Sequence, residues 1–235
     1  LADPAVAEIM AAAGFEWLVV DLEHSLLTLE TAGELIRVIE LCGASPLVRL
    51  TSNDSDQIKR VMDGGAHGII VPMVLSADDA AKAVAATRYP PAGTRGVGLG
   101  REQRYGAGFE EYLSWQVDGP IIIVQIEHRD SVANLEAILA VPGIGGFIIG
   151  PYDLSASMGI PGQFDDPVFL ECMETIRSTA RRMGVPSGIH LVEPDVAALR
   201  QAVADGYSLI AYGVDFRFLD VTARLGVSAM RELLS

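Results

Sequence analysis

Two acidic residues, Glu127 and Asp153, have the type and spacing of a divalent-cation site. Each follows the end of a short apolar run, and they lie about one strand–helix unit apart. Adjacent parallel strands would bring both carboxylates to one ion, and ligands that are all oxygen favour a hard cation such as Mg²⁺ or Mn²⁺. The alternative is that Asp153 caps the following helix and that Glu127 is a solvated edge residue.

Two further polar residues lie where apolar runs end. Gln125 is two residues before Glu127, so both side chains share one strand face, towards either a ligand or a polar contact in the core. Arg49 ends another run. A guanidinium there needs a carboxylate partner, which is either a substrate or a neighbouring acid.

Histidines also follow apolar runs, where they titrate near neutrality and can act as general bases. His24, His128 and His190 all have such positions, and their positions do not rank them. A loop histidine that caps a helix has the same pattern. His67 precedes its run and is therefore expected at the opposite, stability-determining end of the sheet.

The sequence disfavours both an imine mechanism and a dinucleotide cofactor. An imine-forming aldolase needs a lysine in the site, but the two lysines, Lys59 and Lys82, lie in helix-like segments. A carbanion would therefore need a metal ion. The glycines of residues 96–100 follow a proline pair rather than a strand, which argues against a dinucleotide site.

The elements that must position these residues alternate regularly. Short apolar runs and longer helix-like segments predict buried parallel strands, in either an open doubly wound sheet or a closed (β/α)8 barrel. In a barrel, the first strand would precede Leu1. Residues 89–112 are expected to form a lid or to hold an extra strand. The predicted strands are 17–20, 46–50, 68–72, 121–126, 146–150, 187–191 and 209–212, and the predicted helices 28–41, 56–62, 77–87, 132–140, 167–183 and 194–205.

Composition narrows the class of protein. The formal net charge is −14, which argues against binding to nucleic acid or to anionic lipid. No apolar run approaches the ~20 residues of a membrane span, and no cationic signal-peptide start is present. The two cysteines suit a reducing cytoplasm. No linker divides the chain, so residues 1–235 are predicted to form one domain.

The ordered motifs of the chain resemble the HpcH/HpaI family of class II, metal-dependent 2-oxo-acid aldolases. The resemblance runs from about residue 14 to residue 214. Tyr152 departs from it, because a small residue is frequent at this position. The motifs are DLEH at 21–24, VR at 48–49, VPMV at 71–74, TRYPPAGTRGVG at 87–98, QIE at 125–127 and GPYDLS at 150–155.

The resemblance implies a (β/α)8 TIM barrel with a metal site and no organic cofactor. Glu127 and Asp153 would bind Mg²⁺, Mn²⁺ or Co²⁺. Gln125 would contact the substrate, and the backbone at Tyr152 and Asp153 would hold its carboxylate. The implied partners are a small 2-oxo acid and an aldehyde.

The resemblance also implies roles for three catalytic residues. His24 would be the base, and Arg49 would stabilise the enolate oxygen. Asp63 matches an acid that raises the basicity of the histidine, although it precedes a strand and would need a neighbouring chain to reach His24. The resemblance also implies a hexamer, a trimer of dimers whose subunits exchange their C-terminal helices.

The implied reaction is the reversible aldol addition of pyruvate enolate to an aldehyde. Cleavage would act on hydroxy-2-oxo acids such as 4-hydroxy-2-oxo dicarboxylates. One alternative is an acyl-CoA lyase, citrate-lyase-like or malyl-CoA-type, whose CoA phosphates would need the arginines of residues 95–104. The other is a barrel that binds a carboxylate without catalysis.

Overall fold

The protein is an α/β structure with one parallel sheet, described by a computed structural model over residues 1–234. The seven strands are β1 (Trp17–Asp21), β2 (Ser45–Arg49), β3 (Gly68–Val71), β4 (Ile121–Ile126), β5 (Gly146–Ile149), β6 (Ser187–Leu191) and β7 (Leu209–Tyr212). The helices are α1 (Pro4–Ala12), α2 (Leu29–Leu41), α3 (Ser55–Asp63), α4 (Ala77–Thr87), α5 (Phe109–Trp115), α6 (Arg129–Ala133), α7 (Leu135–Leu139), α8 (Pro151–Ser157), α9 (Pro167–Met183), α10 (Val196–Ala204) and α11 (Asp215–Leu234).

The strands pair in chain order, and the sheet curls. Leu47, Ile70, Ile123 and Ile148 form a buried cluster on the inner face, against which residues of both β1 and β7 pack. In a flat sheet these two edge strands would be about 29 Å apart, at the usual strand spacing. The sheet is therefore a partial barrel. An eighth strand, which the (β/α)8 prediction requires, is not among residues 1–234.

The seven predicted strands are confirmed, and five of the six predicted helices are confirmed as α2, α3, α4, α9 and α10. The predicted helices do not include α5, α8 and α11. Thr28 and Asp54 cap α2 and α3 by accepting backbone N–H groups, as their positions before the helices suggest. The prediction of a single helix over residues 132–140 is wrong. The structure has two short helices there, α6 and α7, which meet at Asn134. None of the helices within residues 1–234 has both the length and the apolarity to cross a membrane.

The long segment over residues 89–112 contains no strand and lies at the amino ends of the strands, because α4 carries the chain back there. Arg95 anchors it, with its side chain fully buried. The guanidinium contacts Asp63 at 3.1 Å, donates to the Tyr112 hydroxyl at 2.5 Å and lies over the Tyr89 ring. The alternative expectations of a strand here, or of a lid over the chain's own carboxyl-end residues, are therefore wrong.

Gly68 is a sensitive position in the sheet. A Cβ there would overlap the backbone oxygen of Ile121 on the neighbouring strand. We expect Gly68→Ala to lower the free energy of unfolding by about 2–3 kcal/mol in urea titrations, since the strands must separate. Gly33→Ala is the control, because no atom lies within 4 Å of its Cβ in α2. That change should be neutral or stabilise by up to about 1 kcal/mol. Equal losses in both variants would contradict this account.

Candidate active site

A cavity of about 1010 Å³ extends from the carboxyl ends of the strands to Trp17 at the start of β1 and to residues of α1. Strands, and the loops that follow them, bring side chains from distant parts of the sequence to this one wall, as parallel α/β folds do. Asp63 does not contribute. The resemblance gave roles to seven residues, and the other six line the cavity, namely His24, Arg49, Gln125, Glu127, Tyr152 and Asp153.

Arg49 is held by an acid of the neighbouring strand. Asp21 and Arg49 are register partners at the ends of β1 and β2. The guanidinium donates to both carboxylate oxygens of Asp21, from Nε at 2.8 Å and from Nη2 at 2.6 Å, and Nη1 lies 3.3 Å from Glu23 Oε2. Burial alone would raise the pKa of Asp21, but the hydrogen bonds and charge of Arg49 outweigh it and lower that pKa.

Asp21 also shapes the turn that carries His24. Its Oδ1 accepts the backbone N–H of Glu23 at 2.9 Å and that of His24 at 3.4 Å. The imidazole is 67% exposed and lies 3.8 Å from the Glu23 carboxylate. The sequence analysis does not predict Asp21 or Glu23 as site residues, although both belong to the DLEH motif at the end of β1.

Glu127 is the most deeply buried acid of the site, with 3% exposure. Its Oε1 accepts the backbone N–H of Met73 at 2.7 Å, and its Oε2 accepts Gln125 Nε2 at 2.5 Å. Met73 has a left-handed backbone at φ 51°, a strained conformation for a side-chain-bearing residue. A Cβ at Gly150 would lie 2.9 Å from Glu127 Oε2, so only glycine leaves the carboxylate in place.

The surroundings of Glu127 in the cavity and of Glu23 beside it disfavour the charged form of each carboxylate. Burial, with the Asp153 charge, raises the pKa of Glu127, against its two hydrogen bonds and Arg49. Burial and the Glu127 charge likewise raise the pKa of Glu23, although Arg49 opposes them. Glu23 Oε2 is buried and accepts no hydrogen bond within residues 1–234. These are the conditions that a divalent cation relieves.

The donor set fits such a cation with two protein carboxylates. Within residues 1–234, no group of three or more His, Cys, Asp or Glu side chains is placed to hold a metal ion. At most two such side chains could therefore bind one ion, and Glu127 and Asp153 are the pair that the sequence predicts. Mg²⁺ commonly binds through one or two carboxylates, with water and substrate oxygens completing its shell.

Asp153 and Tyr152 lie in the first turn of α8, whose N-cap is Gly150, so Asp153 is not the cap. Their backbone N–H groups belong to the turn that lacks intrahelical acceptors. The Tyr152 side chain is 64% exposed, and its ring packs edge-on against Phe164 at 4.9 Å. The Tyr152 side chain, larger than the small residue expected at this position, therefore adds an aromatic surface to the cavity together with Phe164. It does not occupy the backbone N–H groups of Tyr152 and Asp153.

The structure does not bring Asp63 to His24 within one chain. Asp63 ends α3 at the amino end of the sheet, where it pairs with Arg95. Burial raises the pKa of Asp63, and the charges of Arg95 and Lys59 oppose that rise. His67 lies at this same end, directly before β3, as its position in the sequence predicts.

Comparisons with known proteins agree with this fold. Residues 1–220 match the HpcH/HpaI aldolase/citrate lyase family. The chain is 40% identical to the 4-hydroxy-2-oxo-heptane-1,7-dioate aldolase of Salmonella typhimurium, over 97% of this chain and 88% of that protein.

Two solved structures are also similar. An HpcH/HpaI aldolase/citrate lyase family protein from Burkholderia cenocepacia J2315 has a TM-score of 0.93 and 32% identity, over 98% of this chain and 91% of the other. An HpcH/HpaI aldolase from Desulfitobacterium hafniense DCB-2 has a TM-score of 0.90 and 33% identity, over 99% and 90%. The protein is therefore an aldolase, a carbon–carbon lyase on a curled parallel sheet. The chain belongs to the HpcH/HpaI aldolase/citrate lyase family.

Glu127 is expected to destabilise the metal-free protein. Because its pKa is raised in the folded state, wild-type stability should fall as pH rises through that pKa. We expect Glu127→Gln, measured by urea unfolding in EDTA, to gain about 1 kcal/mol at pH 7–8. The gain should shrink as pH falls to 4.5 and below, because wild-type Glu127 is then protonated in the folded state and increasingly also in the unfolded state. A gain that stays constant with pH would contradict the assignment.

Proposed function

We propose that this aldolase adds the enolate of pyruvate reversibly to an aldehyde, with the help of a divalent cation. The observation that carries the proposal is the buried Glu127 carboxylate, which shares the cavity with Asp153. Arg49 is the only arginine or lysine side chain among the described residues that line this cavity, and Asp21 already engages it. In the cleavage direction, 4-hydroxy-2-oxo-heptane-1,7-dioate is the first substrate to assay, because the Salmonella relative is named for it.

Glu127 and Asp153 would hold Mg²⁺, Mn²⁺ or Co²⁺, and no organic cofactor is proposed. When bound, the ion supplies the Lewis acid that polarises the 2-oxo group and makes the methyl protons acidic. Gln125 orients the Glu127 carboxylate through its amide and would contact the substrate. The backbone N–H groups of Tyr152 and Asp153 would bind the substrate carboxylate.

His24 would move the proton. Its exposed imidazole can take a methyl proton of pyruvate, and in the cleavage direction it would take the proton of the 4-hydroxyl group. Arg49 would donate a hydrogen bond to the oxygen on which negative charge develops. The two hydrogen bonds to Asp21 fix the Arg49 guanidinium before substrate binds, so the side chain needs little reorientation during the reaction.

An oligomer would complete the molecule. Every residue of α11 from Val221 to Leu234 is exposed, including Leu225, Met230 and Leu233. A helix that exposes this many apolar side chains marks a surface that binds a partner. We propose a homohexamer, a trimer of dimers, in which residues 1–235 of each subunit belong to one domain of the (β/α)8 barrel type. A neighbouring subunit would then bring Asp63 to His24. The two free cysteines support a cytoplasmic location.

The acyl-CoA alternative finds no support at the cavity. It needs arginines for the CoA phosphates, but the arginines of residues 95–104 belong to the segment at the amino end. There Arg95 pairs with Asp63, and Arg101 pairs with Glu40. Arg104 pairs with an exposed acid of α5. The remaining alternative, a barrel without catalysis, is wrong, because the chain is an aldolase.

The decisive test follows the methyl protons of pyruvate by NMR in D2O. We expect exchange with Mn²⁺ or Mg²⁺, loss of exchange in EDTA, and recovery when metal is added back. Glu127→Ala should lose at least about 100-fold in exchange rate, since the ion is no longer held. Asp165→Ala is the control, because that acid is exposed and lies outside the cavity. Full exchange in chelator would end the proposal.

The assembly can be tested by light scattering. Six chains of 25.0 kDa predict a mass of about 150 kDa. We expect Leu225→Asp combined with Met230→Asp to lower the mass, since charge opposes burial of α11. If a neighbour supplies Asp63, pyruvate exchange should fall with the mass. A monomeric wild type with full exchange would contradict both proposals.

A further inference from the structure

His190 is a cavity residue that the proposed reaction does not use. It lies on β6, in register with Ala211 of β7, and its half-buried side chain lines the same cavity as Glu127 and Arg49. Its imidazole makes no hydrogen bond to any group in residues 1–234, although both ring nitrogens are polar.

The ring of His190 is open to the cavity. The residue is only half-buried, and neither ring nitrogen is among the fully buried side-chain atoms that lack a hydrogen-bond partner within residues 1–234. Arg49 and Asp21 line the same cavity. Burial and the Arg49 charge lower the pKa of His190, and the Asp21 charge opposes them. The ring is therefore neutral near pH 7, with one N–H donor and one nitrogen acceptor.

The polar groups of the pyruvate half already have partners in the proposed reaction. Its ketone and carboxylate oxygens would be bound by Arg49 at the end of β2, by the backbone of α8 after β5, and by the cation that Glu127 after β4 and Asp153 in α8 would hold. His190 lies beyond them on β6. The polar atoms left for it are those of the acceptor aldehyde. A hydroxyl group both donates and accepts, and it matches a neutral imidazole.

We propose that His190 is a specificity-determining residue whose imidazole hydrogen-bonds a hydroxyl group of the acceptor, so that 2-hydroxyaldehydes are preferred over alkyl aldehydes. This inference rests on the proposed function, because it assumes that the pyruvate half occupies the Glu127 and Asp153 side of the cavity.

The test compares glycolaldehyde with propanal, which has a methyl group in place of the hydroxyl. We expect His190→Leu to lower the ratio of kcat/KM for glycolaldehyde to kcat/KM for propanal by about tenfold, since one hydrogen bond is lost. His190→Gln keeps a donor and an acceptor and should retain part of the preference. His67→Leu makes the same change at the opposite end of the sheet and should leave the ratio unaltered.

Pyruvate exchange without aldehyde separates this inference from the proposed function. We expect His190→Leu to exchange pyruvate protons at the wild-type rate, because only acceptor binding changes. An unaltered aldehyde ratio with normal exchange would overturn the role of His190 and leave the aldolase mechanism standing. Equal losses with both aldehydes, together with lost exchange, would also overturn it. Absence of exchange in the wild type would instead refute the proposed function.

Discussion

The carboxylate of Glu127 is buried beside other acids, and the local structure is arranged to keep it there as an anion. The backbone N–H of Met73 and the amide of Gln125 each donate to one of its oxygens. Gly150 leaves the space in which the carboxylate lies. The left-handed backbone of Met73 costs free energy that other contacts must offset. A group held at such cost is typical of a site that binds a cation.

The second constraint is the single guanidinium of the cavity. Arg49 carries positive charge among several acids, and the bidentate pair with Asp21 restricts it to one orientation. The same carboxylate accepts N–H groups of the turn that leads to His24. One acid at the end of β1 therefore couples the position of the Arg49 guanidinium to that of the turn that carries His24.

The two ends of the sheet divide stability from chemistry. At the amino ends, the buried Arg95 satisfies its charge with Asp63 and lies over Tyr89, so this network closes on itself. At the carboxyl ends, the surroundings of Glu127 and Glu23 disfavour the charged form of each carboxylate. The difference agrees with the general rule that parallel α/β folds bind ligands at the carboxyl ends of their strands.

The sequence by itself determined the strands and the helices α2, α3, α4, α9 and α10, because β-branched apolar runs and capping residues act locally. It also placed Glu127, Asp153, Gln125 and Arg49 at strand ends, which in a parallel sheet share one side. Only the tertiary structure decided which partner each side chain takes, since pairs such as Asp21 and Arg49 form across neighbouring strands. It also separated Asp63 from His24, and it placed His190 in the cavity, because the curl of the sheet decides which distant strand ends meet.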